Sequence, residues 1–318
     1  MKRPAVSILM PLRNAEPWVT ACIESIRAQT FQDWELIVVD DLSQDASTQL
    51  VSAQRDQDER IMLVENTGTG IIPALQTAFA LASGSFITRM DADDLMPKDK
   101  LAVFYATVIQ QSDHIITGKV KYFGDTGIVV SDGYRSYEQW LNERISKKDH
   151  WDWIYRECVI ASANWMAHRS LVNFNDLIYP EDYDLVFHWY QQRIQITGIN
   201  EVTHLWREHP HRTSRTSANY QQERFFALKL DRFLSLDHDT DKELRILGKN
   251  VKTKLVMKRM DQARVPYQIA EKEDLKKFRW DDSIQVLIAV YPSLDQRMAI
   301  MEFFQSKGLF HGKNYWWI

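Results

Sequence analysis

Cysteine is nearly missing from this chain: two residues, Cys22 and Cys158, in 318. That number excludes a disulfide framework, and their spacing fits no thiolate metal site, so free thiols in a reducing compartment are expected. An excess of one charge is also lacking. With 39 Lys+Arg against 43 Asp+Glu the net charge is −4, and no global basic field points to nucleic acid. The N-terminal apolar run "AVSILM" behind "MKRP" is broken by Pro11 and Arg13, too soon for a signal peptide or a membrane span. Glycine-rich phosphate loops are absent too. No G-x-G-x-x-G follows the first apolar run and no G-x-x-x-x-G-K-[ST] occurs, which removes dinucleotide and P-loop readings. There is no internal repeat or low-complexity tract. What remains is 45% hydrophobic and long enough for one large domain with an appendage, or two domains. A soluble, cytoplasmic protein is expected.

What is there begins with alternation. "AVSILM" (5–10), "WELIVVDD" (34–41) and "SFITRM" (85–90) are apolar runs of strand length. Between them, "EPWVTACIESIRAQ" (16–29) and "IPALQTAFALAS" (72–83) carry helical spacing, with Gly84 ending the second. Strands apolar throughout and separated by helices predict parallel βαβ units covered on both faces. Ligands of such sheets bind beyond the carboxyl ends of the strands. Those ends read "MPLRN", "VVDDLS" and "RMDADD", so the conspicuous polar groups share one edge.

In "ITRMDADDLMP" (87–97) three carboxylates, Asp91, Asp93 and Asp94, occupy four positions. Two carboxylates about 5 Å apart at an effective dielectric near 20 repel by roughly 3 kcal/mol. A solvated acidic turn capping the next helix is one explanation. A divalent-metal site is the other, since hard oxygen ligands suit Mg²⁺ or Mn²⁺ and the cation removes the repulsion. In an extended segment Asp91 and Asp93 would point to the same side.

Five motifs decide between these. "VSILMPLRN", "WELIVVDDLSQD", "ALQTAFALASGSFITRMDADD", "YPEDYDL" and "WREHPHRTSRTS" stand in the order seen in family 2 glycosyltransferases, and the chain resembles that family over residues 4–217. The resemblance implies a GT-A fold, Rossmann-like with a mostly parallel sheet flanked by helices, and inverting transfer from a nucleotide sugar. It implies that Pro11, Arg13, Asp40 and Asp41 hold the nucleoside, with Arg13 standing where the family often has an aromatic residue. Asp91 would meet ribose or the donor sugar, and Asp93 and His209 would ligate Mn²⁺ or Mg²⁺. Arg207 and Arg212 would meet phosphate charge. Asp182 would be the base that deprotonates the acceptor hydroxyl, with Glu181 beside it. In "ECVIASANWMAH", Ser162, Asn164 and Trp165 would lie by the acceptor, a glycan or a lipid-linked sugar. The donor is expected to be a UDP-sugar, and polysaccharide or lipopolysaccharide synthesis the setting.

The chain divides by composition into 1–216, the catalytic domain, and 217–318, a helical region with a small terminal strand–helix–strand unit. Region 242–279 holds twelve Lys/Arg against five Asp/Glu. A solvated helical face or peripheral contact with an anionic membrane at its inner face both fit. The closing "YWWI" implies a packed strand. Two rival functions stay open: a sugar- or nucleotide-binding module without catalysis, and a nucleotidyltransferase, which should carry a basic glycine-rich loop that "MPLRNAEPW" is not. The oligomeric state is not legible.

Overall fold

A computed structural model of the protein describes residues 3–318 apart from Thr126, Lys272, Asp274 and Lys276, and apart from the side chain of Ser214. The chain forms two compact units. The first comprises Met1–Lys148, Ile160–Leu177 and Glu181–Arg212; the second comprises Asp149–Val159, Ile178–Pro180 and Thr213–Ile318.

The first unit runs β1 (Val6–Leu12), α1 (Val19–Arg27), β2 (Trp34–Asp40), α2 (Ser47–Arg55), β3 (Ile61–Glu65), α3 (Ile71–Leu81), β4 (Phe86–Arg89), α4 (Lys100–Val108), β5 (His114–Gly124), α5 (Asp132–Lys147), β6 (Trp165–His168), α6 (Glu181–Gln191) and β7 (Gln195–Glu208). Its seven-stranded sheet has the order β3-β2-β1-β4-β6-β5-β7. Only β6 pairs antiparallel, with β4 and with β5. The other pairings are parallel, so β1, β2, β4, β5 and β7 end at one edge. This is the expected α/β arrangement, a mostly parallel sheet flanked by helices. The strands are apolar throughout because both faces are covered: Val6, Ile8, Leu9, Met10, Leu36, Ile37, Val38 and Val39 are all fully buried.

Between β2 and α3 the chain adds α2 and β3, which hydrophobic patterning does not announce. The face of α2 buries only Ser47, Val51 and Gln54, too little apolar area to leave a helical signature.

The second unit corrects the expected helical extension. After the single turn α7 (Thr213–Thr216) and α8 (Gln222–Leu236) come β8 (Glu243–Leu247), α9 (Val251–Ala263), β9 (Gln268–Ala270), β10 (Ile284–Ile288), α10 (Leu294–Ser306) and β11 (Tyr315–Trp317). Within the region expected to be helical, residues 241–264 are therefore a strand followed by a helix. Gly248, at φ 139°, and the Asn250–Thr253 capping box separate them. The sheet is parallel with order β11-β10-β8-β9. As its composition implied, the closing strand is packed: Tyr315, Trp316, Trp317 and Ile318 are each at most 2% exposed. Among the described residues no helix is long and apolar enough to cross a membrane.

Candidate active site

The shared strand edge of the first unit gathers the acidic motifs. Past β2, Asp41 is buried and its backbone N–H donates to Leu12 O across to β1, at 2.8 Å. Its Oδ1 accepts from Asn66 Nδ2 at 2.7 Å and from Gly70 N at 2.8 Å, while Oδ2 accepts from Arg13 at 3.1 Å. Gly70 has φ 98°, a conformation that favours glycine. The carboxylate is therefore satisfied. A nucleoside can share it only at the side held by Arg13, whose side chain is 57% exposed. Asp40 accepts from Ser43 N at 3.2 Å and shapes the turn. Pro11 lies in β1 beside Val39.

The segment after β4 is not extended. Asp94 N donates to Asp91 O at 3.2 Å, closing a turn that sends the three carboxylates in different directions. Asp91 and Asp93 thus take different protein partners, while the Asp93 and Asp91 charges still act on the neighbouring Asp94. Asp91 receives Arg89 Nε at 2.7 Å and Ser162 Oγ at 3.1 Å. Asp93 Oδ2 meets His209 Nε2 at 2.9 Å. Asp94 is buried, receiving Arg207 N at 2.7 Å and meeting His204 Nε2 at 2.9 Å. Burial pushes the Asp94 carboxyl well up and the His204 imidazole well down, disfavouring the charged form of each. Burial also works to raise Asp93, but the His209 hydrogen bond and the Arg212 charge outweigh it and hold it low. The turn is clamped to β7 by paired hydrogen bonds between Leu95 and Leu205, at 3.1 and 3.0 Å.

One residue that the motifs did not single out joins this turn to the fourth motif. Arg89, the last residue of β4, is buried and donates through a second nitrogen to Glu181 Oε1 at 3.1 Å. Glu181 and Asp182 open α6, where first-turn acids are favoured by the helix dipole. Asp182 Oδ1 accepts from Tyr183 N at 2.9 Å. Burial, and then the neighbouring Glu181 charge, push its carboxyl up to about 7, with Arg89 pulling the other way. A charged residue at the end of an otherwise apolar strand was the available signal for Arg89. For His204 the signal was its two-residue spacing with Trp206 and Glu208 along one face of β7.

The Asp93 carboxylate oxygen fits Mn²⁺ or Mg²⁺, and the His209 imidazole nitrogen, a softer donor, favours Mn²⁺ of the two. His209 is buried, its ring 3.8 Å from that of Trp18, and its Nδ1 has no hydrogen-bond partner among the described residues. No group of three or more His, Cys, Asp or Glu among the described residues forms a metal-binding set. The protein offers a pair of donors, and a cation held there would need further ligands from outside these two side chains.

Not every expected contact comes to the site surface. Asn164 is fully buried, bonding Gly118 O at 2.7 Å and receiving Thr203 Oγ1 at 2.8 Å. Trp165 is buried edge-on to Trp189. Both brace the sheet, which corrects their expected acceptor contact; of the three, Ser162 alone reaches the carboxylates. Arg207 donates to Asp93 O and lies 3.5 Å from Asp125. Arg212 is packed over Trp206 at 5.1 Å and stands 3.6 Å from Glu208. As found, both arginines face protein partners and act on the acidic turn.

Comparison with known proteins bears on this geometry. The family model for Glycosyl transferase family 2 matches residues 7–173. Glycosyltransferase EpsH of Bacillus subtilis (strain 168) is 28% identical over 183 residues, 57% of this chain and 52% of the relative. The UDP-Glc:alpha-D-GlcNAc-diphosphoundecaprenol beta-1,3-glucosyltransferase WfgD of Escherichia coli is 35% identical over 125 residues, 39% of this chain and 49% of the relative. The chain thus spans about half the length of each. Among solved structures, S. aureus TarS 1–349 with UDP-GlcNAc aligns at TM-score 0.56 and 19% identity, covering 74% of this chain and 68% of that one. The mannosyltransferase PcManGT of Pyrobaculum calidifontis, solved with GDP-Man and Mn²⁺, aligns at 0.53 and 18%, covering 82% and 70%. These likenesses carry the fold, GT-A, and the family match extends over more than half of the sequence. The chain belongs to glycosyltransferase family 2.

Proposed function

We propose that the protein is an inverting, metal-dependent glycosyltransferase. It moves a sugar from a nucleotide diphosphate, in the first instance UDP, to a hydroxyl of a glycan or lipid-linked acceptor during polysaccharide assembly. Family membership supports the reaction type. The names of WfgD and TarS support a UDP-linked donor, and the Mn²⁺ of PcManGT supports a divalent cation. A peripheral position at the inner membrane face, reached through the basic stretch 242–279, belongs to the same reading.

The observation that carries it is the Arg89 bridge. Asp91 and Glu181 lie 90 positions apart in sequence, yet one buried guanidinium holds both. The donor-side turn and the α6 carboxylates are thereby fixed in one constellation. In the reaction so assigned, Asp182 takes the proton from the acceptor hydroxyl as its oxygen bonds to the anomeric carbon, and the bond from that carbon to the diphosphate oxygen breaks on the opposite face. A carboxyl held near 7 is poised for that task near neutral pH. Asp41 and Arg13 receive the nucleoside, and Asp91 orients the donor sugar. Asp93 and His209 would hold a divalent cation, which when bound would supply positive charge toward the diphosphate. Asp182→Asn is the test: transfer falls by at least about a hundredfold while calorimetry shows donor binding retained. Near-normal turnover in that variant removes Asp182 from the role.

A further inference from the structure

The second unit gathers cations with little to neutralise them. Lys229 on α8 is 4% exposed, and among the described residues its Nζ has a single hydrogen bond, to Arg156 O, at 3.5 Å. It lies 4.0 Å from the centroid of the Phe226 ring, and Lys252 of α9 lies 5.9 Å from the same ring. Arg156 packs on Tyr291 at 4.1 Å, and Arg297 of α10 packs on that ring at 4.1 Å as well. Two aromatic rings therefore seat four cations, with the Lys229 ammonium meeting the Arg156 main chain and Arg297 also donating to Pro292 O at 3.0 Å. Among the described residues the one carboxylate in ion-pair range is Glu157, 3.6 Å from Arg156. Arg156 Nε is buried without a hydrogen-bond partner among the described residues.

A buried ammonium costs several kcal/mol unless an anion and hydrogen bonds compensate it. Here burial first, and then the Arg156 and Lys252 charges, bring Lys229 down to about 7 against the opposing pull of Glu157. The ring faces stabilise the cations but offer no acceptor for their N–H groups. Three ammonium protons and a planar guanidinium fork match the oxygens of a phosphate.

We propose that Arg156, Lys229, Lys252 and Arg297 form an anion site for a phosphate or pyrophosphate ester. The site belongs to the second unit and is independent of the transfer chemistry assigned to the first. Its ligand comes either as a soluble phosphate ester or as a lipid headgroup.

The test uses the full chain in EDTA, so that no divalent metal recruits pyrophosphate elsewhere. Inorganic pyrophosphate is titrated by calorimetry, and sedimentation is measured with vesicles of 30% phosphatidylglycerol in phosphatidylcholine and with phosphatidylcholine alone. Saturable binding of either probe is expected, weakened at least tenfold in Lys252→Glu/Arg297→Glu. It stays within twofold in Lys254→Glu/Lys307→Glu, which makes the same charge change outside the cluster. Pyrophosphate alone binding identifies a soluble ester; the anionic vesicle alone binding identifies a lipid headgroup. Lys229→Met, which swaps the buried ammonium for an apolar group of similar length, keeps the question open to test if charge reversal unfolds the unit: it folds, and binds at least tenfold more weakly. Absence of binding by both probes, equal weakening in both double variants, or full affinity in Lys229→Met overturns the site.

Discussion

Replacing Arg89 with Met tests the bridge between the acidic turn and α6. The wild-type guanidinium lies 2.7 Å from Asp91 and 3.1 Å from Glu181, and Glu181 is 1% exposed. Methionine fills much of the volume but takes the guanidinium away from both Asp91 and Glu181. Breaking a buried pair in this way costs about 3–5 kcal/mol. A second effect follows from charge alone. Arg89 favours the ionised form of Asp182, and a unit charge on the order of 7 Å away at an effective dielectric near 20 contributes roughly 2 kcal/mol. Without it the alkaline-rising limb of the pH–rate profile moves up by about one to two pH units, so activity at pH 7 falls about tenfold or more and partly returns at pH 9. Arg89→Lys keeps the charge but not the fork that reaches two carboxylates, so its limb moves less while its stability still drops. Urea unfolding and a pH–kcat profile with a fixed donor measure both effects. A variant that unfolds within about 1 kcal/mol of wild type, with its limb unmoved, refutes the reasoning.

Three further outcomes are expected. The Asp182 carboxyl titrates at about 7 in the native state against 3.8 ordinarily, so the native state binds that proton more tightly and loses stability as pH rises from about 4 to 7. Asp182→Asn should therefore melt higher than wild type at pH 8, with the difference shrinking toward pH 4 in calorimetric scans. Asp94→Ala strips partners from the buried His204 and from Arg207 N, and should cost about 2–4 kcal/mol in urea unfolding and weaken donor binding with it. Trp316→Ala, at a side chain 1% exposed in the second unit, should cost about 3–5 kcal/mol in whichever transition reports that unit.

The sheet edge was legible because parallel strands covered on both faces must be apolar throughout, and "VVDD" and "RMDADD" mark where that cover stops. The carboxylates lie at that edge for the same reason. Their directions were not legible, since a turn closed by one hydrogen bond from Asp94 to Asp91 leaves no trace in residue type. Arg89 and His204 were hidden inside strands, where a single polar residue among apolar ones reads as an exception until its partners are known. Asn164 and Trp165 illustrate the converse. Their place in a motif suggested contact with substrate, but their groups are spent on Gly118, Thr203 and Trp189. In the second unit, "ELRIL" alternates too briefly to be told from the start of the helix that follows, and only Gly248 and Asn250 divide them.

Calorimetric titration of UDP into the full chain, with and without Mn²⁺ and with wild type run beside Asp93→Ala, reads out whether the 91–94 turn binds a nucleotide through a cation. Saturable binding that needs Mn²⁺, and that the variant loses at least tenfold, is the predicted result. Binding indifferent to both the metal and Asp93, or none for UDP and GDP alike, would contradict a nucleotide-sugar site built on the 91–94 turn.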